Sequence, residues 1–244
     1  MSPGPVNQAR VKRLLLSASV ILSYCLASAQ TAPADTPTTK HGTVQDYPSL
    51  VRVPDGYNDT PAKQWPLILF LHGAGERGND LTKIKNQGPQ AYIDQGHPLP
   101  FIVVSPQCPE GEDWSPRKLA KLLNEIEAGY GVDPKRIYVT GLSLGGRGTY
   151  DLAAAYPQKF AAIAVLSARD SPEIADRLRT VPVWIFHGGD DQVVPVSYSR
   201  AIADRLRKAG GDVKLTIYPG VGHGGWDKIY ADPALYAWFL VHAR

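Results

Sequence analysis

Five short apolar runs, each continuous rather than alternating, constrain this chain more than any other feature. They occupy residues 67–71, 101–104, 137–139, 162–166 and 183–186. A strand that is apolar on both faces must be covered on both faces, which is the situation of a parallel strand inside an α/β sheet. Leu215-Thr216-Ile217-Tyr218 is expected to add a last strand. Helix signals fall between the runs. Ser115-Pro116 supplies an N-cap and an N1 proline, and Leu119, Leu122, Leu123 and Ile126 follow at i, i+3, i+4, i+7 before Gly129 or Gly131 ends the stripe. Ile202, Leu206 and Ala209 form another stripe, closed by Gly210-Gly211. Strands and helices alternating at this spacing predict one α/β domain with a mostly parallel central sheet.

The length of 244 residues fits one such domain, expected over residues 47–244. Arg10, Lys12 and Arg13 precede an apolar run over residues 14–26 and then Ala27-Ser28-Ala29. That succession reads as a secretory signal peptide over residues 1–29, and the run is shorter than the roughly 20 residues needed to cross a bilayer. Residues 30–46 are rich in Pro, Thr and Ala without an apolar period and are expected to be a disordered leader. The protein is accordingly expected in the periplasm or outside the cell, with no stable membrane insertion once the peptide is cut. Residues 1–29 hold three basic and no acidic residues, so the formal charge of +3 falls to zero in the remainder. A neutral chain has no electrostatic reason to seek nucleic acid or an anionic membrane. Only Cys108 then remains of the two cysteines, too few for an internal disulfide, and it is expected to pack near the end of a strand.

Gly141-Leu142-Ser143-Leu144-Gly145-Gly146 directly follows the run at 137–139 and precedes a helix-compatible stretch. G-x-S-x-G between strand and helix is a nucleophile elbow, in which small residues permit a very tight turn that exposes the serine hydroxyl. A serine needs a general base. On this fold the order is Ser, then Asp or Glu, then His, which leaves His223 and His242 among six histidines. His223 sits among glycines just past the last strand, a loop suited to presenting an imidazole. His242 lies near the C-terminus beside Leu235, Trp238 and Phe239. The acid is expected in the loop after the run at 183–186, which supplies Asp190 and Asp191. Spacing does not choose between them, and Asp170 is a third option; His187 reads as a structural residue.

A tetrahedral intermediate needs N–H donors, one from the residue after the nucleophile, Leu144, and one from the loop after an early strand. Leu71-His72-Gly73-Ala74-Gly75-Glu76-Arg77-Gly78 fits the second, and it lacks the G-x-x-x-x-G-K-[ST] pattern of a phosphate loop. Glu76 and Arg77 either pair or meet a polar substrate.

LHGAGERG from Leu71, GLSLGG from Gly141, FHGGDDQVVP from Phe186 and GVGHGGWD from Gly220 together resemble the α/β-hydrolases of the secreted carboxylesterase, phospholipase and dienelactone-hydrolase-like ("predicted peptidase") group. The resemblance covers nearly all of residues 47–244. It implies Asp191, the second of the two adjacent aspartates, as the acid and Ala74, after His-Gly, as the oxyanion donor. Dienelactone hydrolases proper carry a cysteine where this chain has Ser143, so their substrate is not carried over.

About 15 residues separate the runs at 162–166 and 183, too few for a large lid. An open site is expected to take short acyl esters, or esters on a carbohydrate, aromatic or polymer partner, rather than long lipids. Trp114 and Trp226 are candidates for lining the cleft. No metal or cofactor is expected, because the histidines are dispersed and zinc-site Cys/His spacings are absent. The expected function is a monomeric serine carboxylesterase working through Ser143, His223 and Asp191, with the Leu144 and Ala74 amides binding the oxyanion. The alternatives are a peptidase or acyltransferase on the same triad, or a non-catalytic polymer-binding protein on a hydrolase scaffold.

Overall fold

A computed structural model describes residues 47–85 and 87–244. The expected signal peptide and leader lie outside the described residues. Along the chain come β1 (Ser49–Arg52), β2 (Trp65–Leu71), α1 (Thr82–Lys85), α2 (Gly88–Asp94), β3 (Ile102–Pro106), α3 (Pro116–Gly129) and β4 (Val132–Leu142). Then follow α4 (Leu144–Ala155), β5 (Ala162–Leu166), α5 (Ile174–Leu178), β6 (Val183–Gly188), α6 (Ser197–Lys208), β7 (Val213–Tyr218), α7 (Asp227–Tyr230) and α8 (Pro233–Leu240). The strands form one sheet in the order β1-β3-β2-β4-β5-β6-β7. Among the described residues only β1, a four-residue edge strand, runs antiparallel to its neighbour; the other pairings are parallel.

Continuous hydrophobicity in the strands divides by parity into two cores, as a pleated strand requires. Leu67, Leu69 and Leu71, with Ile137, Val139, Ile163, Val165, Val183 and Ile185, pack against Leu119, Leu123 and Ile126 of α3, Leu152 of α4 and Ile202 and Leu206 of α6. Ile68 and Phe70, with Tyr138, Ala164, Trp184 and Phe186, face α7 and α8 through Ile229, Tyr230, Leu235, Tyr236 and Phe239. The cap at Ser115 is present, its side chain accepting from the Lys118 amide, with Pro116 opening α3. Gly210 leaves α6 at φ +76°, a left-handed conformation suited to glycine.

In a parallel sheet all strands deliver their carboxyl ends to one edge, and ligands bind there. The loops after β2, β4, β6 and β7 therefore gather at one rim. The connection from β5 to β6 spans only residues 167–182 and holds just the five-residue α5, so this connection inserts nothing bulky over that edge.

Candidate active site

Ser143 stands between β4 and α4 with φ 54° and ψ −112°, a conformation that an L-residue adopts only at a cost of about 1–3 kcal/mol. The neighbouring glycines show what enforces it. A Cβ on Gly145 would lie 1.9 Å from the Leu71 carbonyl oxygen and 2.6 Å from that of His72, and one on Gly141 would lie 2.4 Å from the Gly145 backbone. The first turn of α4 is thus pressed directly onto the end of β2. The Ser143 amide donates to the Leu166 carbonyl at 2.9 Å, which pins the turn to the neighbouring strand.

The half-buried His223 ring bridges two chain segments. Its Nε2 lies 2.9 Å from Ser143 Oγ and its Nδ1 lies 2.7 Å from Asp191 Oδ2. A carboxylate only accepts, so Nδ1 carries the hydrogen and Nε2 offers its lone pair to the serine hydroxyl. The Asp191 side chain is fully buried, whereas Asp190 is exposed. Oδ1 of Asp191 accepts from the Val193 and Val194 amides at 2.9 and 2.8 Å. Burial is the strongest single influence on that carboxyl and would raise its pKa. The Val194 amide, the His223 ring and the Val193 amide together outweigh burial, so the pKa lies below the ordinary aspartate value and the group is ionised at neutral pH. Gly188 lets the two loops meet, because a Cβ there would lie 2.3 Å from the Val221 carbonyl oxygen.

His187, expected to be structural, is fully buried on the far side of Asp191. Its Nε2 donates to the Val194 carbonyl at 2.8 Å while its Nδ1 lies 2.6 Å from Ser199 Oγ, and burial lowers its pKa. Asp170 does not reach the His223 ring: its Oδ1 accepts from the Ser171 amide, and burial raises its pKa against the opposing pull of that amide, Arg147 and Asp151. His242 lies past the end of α8, with Nδ1 2.7 Å from the Trp238 carbonyl oxygen.

The loop after β2 lies against the elbow: a Cβ on Gly73 would sit 3.7 Å from the Leu142 carbonyl oxygen, next to Ser143. Ala74 opens a short 3-10 turn and Leu144 opens α4, so each amide lacks an acceptor within its own helix. Neither amide has an acceptor among the described residues. His72 anchors the loop from within, donating from Nδ1 to the Gly73 carbonyl at 2.6 Å and accepting at Nε2 from the Cys108 amide at 3.0 Å. Burial lowers its pKa to about 4. Glu76 and Arg77 do not pair with each other. Glu76 accepts from Gln87 at 2.7 Å and Arg77 donates to Asp113 at 2.6 Å.

Trp114 and Trp226 do not line a cleft. They are 5% and 3% exposed, and their ring nitrogens donate to the carbonyls of His72 and His223. A stacking platform needs an open ring face, and these faces are consumed by packing: Trp114 lies against Tyr47 and His72, and Trp226 against Tyr218. Cys108 is buried two residues past β3, as expected. Among the described residues no three His, Cys, Asp or Glu side chains are grouped to hold a metal ion. Gln107, which gave no signal beyond a polar residue after a buried strand, proves fully buried beside the β2 loop.

Residues 110–229 match the family described as the dienelactone hydrolase family. Acyl-protein thioesterase 1 of Gibberella zeae is 31% identical over 196 residues, covering 64% of this chain and 82% of the relative. Carboxylesterase SOBER1 of Arabidopsis thaliana is 29% identical over 188 residues, with the same 64% and 82% coverage. Among solved structures, a thermostable esterase superposes with a TM-score of 0.71 at 30% identity, covering 81% of this chain and 60% of that one.

Proposed function

Since this chain belongs to the α/β-hydrolase esterases that include carboxylesterases and acyl-protein thioesterases, and carries a dienelactone hydrolase family domain, we propose that it is an exported serine carboxylesterase whose catalytic triad is Ser143, His223 and Asp191. The observation that carries this reading is the His223 ring, held at 2.7 Å by Asp191 and offered at 2.9 Å to Ser143.

In the proposed cycle the Ser143 hydroxyl attacks the acyl carbon while His223 Nε2 takes its proton. The resulting imidazolium is stabilised by the ionised Asp191, which stays a carboxylate throughout. The carbonyl oxygen gathers charge as the carbon becomes tetrahedral, and the Ala74 and Leu144 amides receive it. His223 then gives its proton to the departing alkoxide, leaving an acyl ester on Ser143. A water molecule activated by the same ring repeats the sequence and frees the acid. One chain contains every group required, so a monomer suffices.

The short connection at residues 167–182 supports an open site that accepts short acyl groups, or acyl groups joined to a bulky carbohydrate, aromatic or polymer partner. Export is supported by the basic residues, apolar run and Ala-Ser-Ala succession of residues 1–29. The test is hydrolysis of nitrophenyl esters from acetate to palmitate by the protein and by Ser143→Ala. Turnover is expected on short chains and lost in the variant. Turnover that survives Ser143→Ala would move the nucleophile elsewhere, and products from an added acceptor alcohol or an amide would point to transfer or peptidase chemistry.

A further inference from the structure

The two amides assigned to the oxyanion come from different parts of the chain, Ala74 from the loop after β2 and Leu144 from the start of α4. Their spacing is useful only if something fixes both carriers to a common frame. Segment 107–114, which follows β3, is that frame. The Gln107 side chain is fully buried, and its amide nitrogen donates to two carbonyls of the β2 loop, Glu76 at 2.8 Å and Asp80 at 2.9 Å. Its carbonyl oxygen has no partner among the described residues. That oxygen alone costs about 1–3 kcal/mol, so what the buried amide contributes comes through its nitrogen. The Gly78 amide donates to the Cys108 carbonyl at 2.9 Å, and the Cys108 amide to His72 at 3.0 Å.

Trp114 ties the same segment to both carriers at once. Its indole N–H donates to the His72 carbonyl at 3.2 Å, two residues before Ala74. On the other side it fills the space left by Gly148 of α4, where a Cβ would lie 2.7–2.8 Å from the tryptophan. The His72 carbonyl that it holds is also, with that of Leu71, one of the two against which Gly145 is pressed.

We infer that Gln107 and Trp114 are positioning residues that set the oxyanion site, by holding the Ala74-bearing loop at a fixed distance from the Leu144-bearing helix. This rests on the reading of Ala74 and Leu144 as the oxyanion donors. Neither residue touches the substrate; both act through the backbone.

The test compares a matched aryl ester and aryl thionoester, identical except for sulfur in place of the carbonyl oxygen. A well-set pair of amides favours oxygen, so the ratio of the two kcat/KM values reports the oxyanion site alone. Trp114→Phe keeps a ring in the packing and removes the N–H; Gln107→Met keeps the bulk and removes the donor. With active sites titrated, the ester-to-thionoester ratio is expected to fall ~3–10-fold in Trp114→Phe and ~10–100-fold in Gln107→Met, mostly through kcat. A merely structural role would lower melting temperature or titratable sites while leaving the ratio at its wild-type value, and that result overturns the inference. If Gln107→Met does not fold, Trp114→Phe decides by the same ratio. Folded wild-type protein inactive on both substrates would reject the esterase reading and this inference together. Wild-type activity lost in Ser143→Ala, with unchanged ratios in both variants, would reject this inference alone.

Discussion

His187 approaches the same oxygen of Asp191, Oδ2, that holds His223: its Nε2 lies 3.4 Å away, against 2.7 Å for His223 Nδ1. The acid therefore lies between two imidazoles, one buried and one at the site. Ser199 fixes the buried ring by donating to its Nδ1, which leaves the hydrogen on Nε2 for the Val194 carbonyl. Val194 in turn gives its amide to Asp191, so the turn that orients the acid is closed by His187.

Replacing His187 by Leu strands Ser199 Oγ and the Val194 carbonyl in the interior. A loss of about 2–4 kcal/mol is expected, together with a fall in kcat as Asp191 loosens. Urea unfolding and initial rates on the same preparation check both; unchanged values would show that the ring only fills space.

Asp191→Asn keeps the shape of the side chain but no longer dictates which nitrogen of His223 carries the hydrogen, and kcat is expected to drop ~10⁴-fold. Asp190→Asn, one residue earlier and exposed, is expected to leave kcat within about twofold, as surface changes away from special features do. Steady-state kinetics on the pair decide the assignment, and an inactive Asp190→Asn would reverse it.

Ser143→Gly should abolish turnover and stabilise the fold by about 1 kcal/mol, because glycine accepts φ 54° and ψ −112° without strain. Ser143→Ala keeps the strain and should melt near the wild type. Equal melting temperatures for the two variants would mean that the turn stores no strain.

Gly145→Ala places a methyl 1.9 Å from the Leu71 carbonyl oxygen and is expected to prevent recovery of active protein. Gly75→Ala meets nothing within 4 Å and should cost less than about 0.5 kcal/mol. Soluble yield and thermal melts of the two variants check the contrast.

Stability should fall as the solution is acidified through the range below neutrality. His72 in the unfolded chain takes a proton near 6.5, whereas in the folded protein burial delays this to about 4. Both states are neutral above the unfolded value, so the full stability is present there. Between 6.5 and 4 the unfolded state binds the extra proton, and about 1.4 kcal/mol is lost per pH unit, roughly 3 kcal/mol in all. Urea unfolding at pH 7.5 and 4.5 should show a steeper loss in the wild type than in His72→Phe; parallel losses would contradict it.

The strands of the parallel sheet were legible because burial on both faces leaves no room for polar residues, and the runs at 162–166 and 183–186 mark β5 and the greater part of β6. β1 was not legible: four residues at an edge, with only Leu50 and Val51 buried, carry too short a pattern. Ser143 and His223 could be named because glycines flank them and chain order excludes most rivals. The choice between Asp190 and Asp191 depends on which carboxylate turns inward onto the Val193 and Val194 amides, a matter of turn geometry and not of spacing. Trp114 was misplaced for a related reason. The residue whose missing side chain makes room for it is Gly148, on an element that only the tertiary fold brings near.

The site joins residues far apart in the chain, 80 between Ser143 and His223 and 32 between Asp191 and His223. Such long loops close late, since their entropy must be overcome before any contact repays it. A chain being synthesised holds Ser143 well before it acquires His223. On the proposed triad, ester turnover is expected to appear only once β6 and β7 have docked, so its first appearance during refolding would serve as a clock for the completion of the sheet.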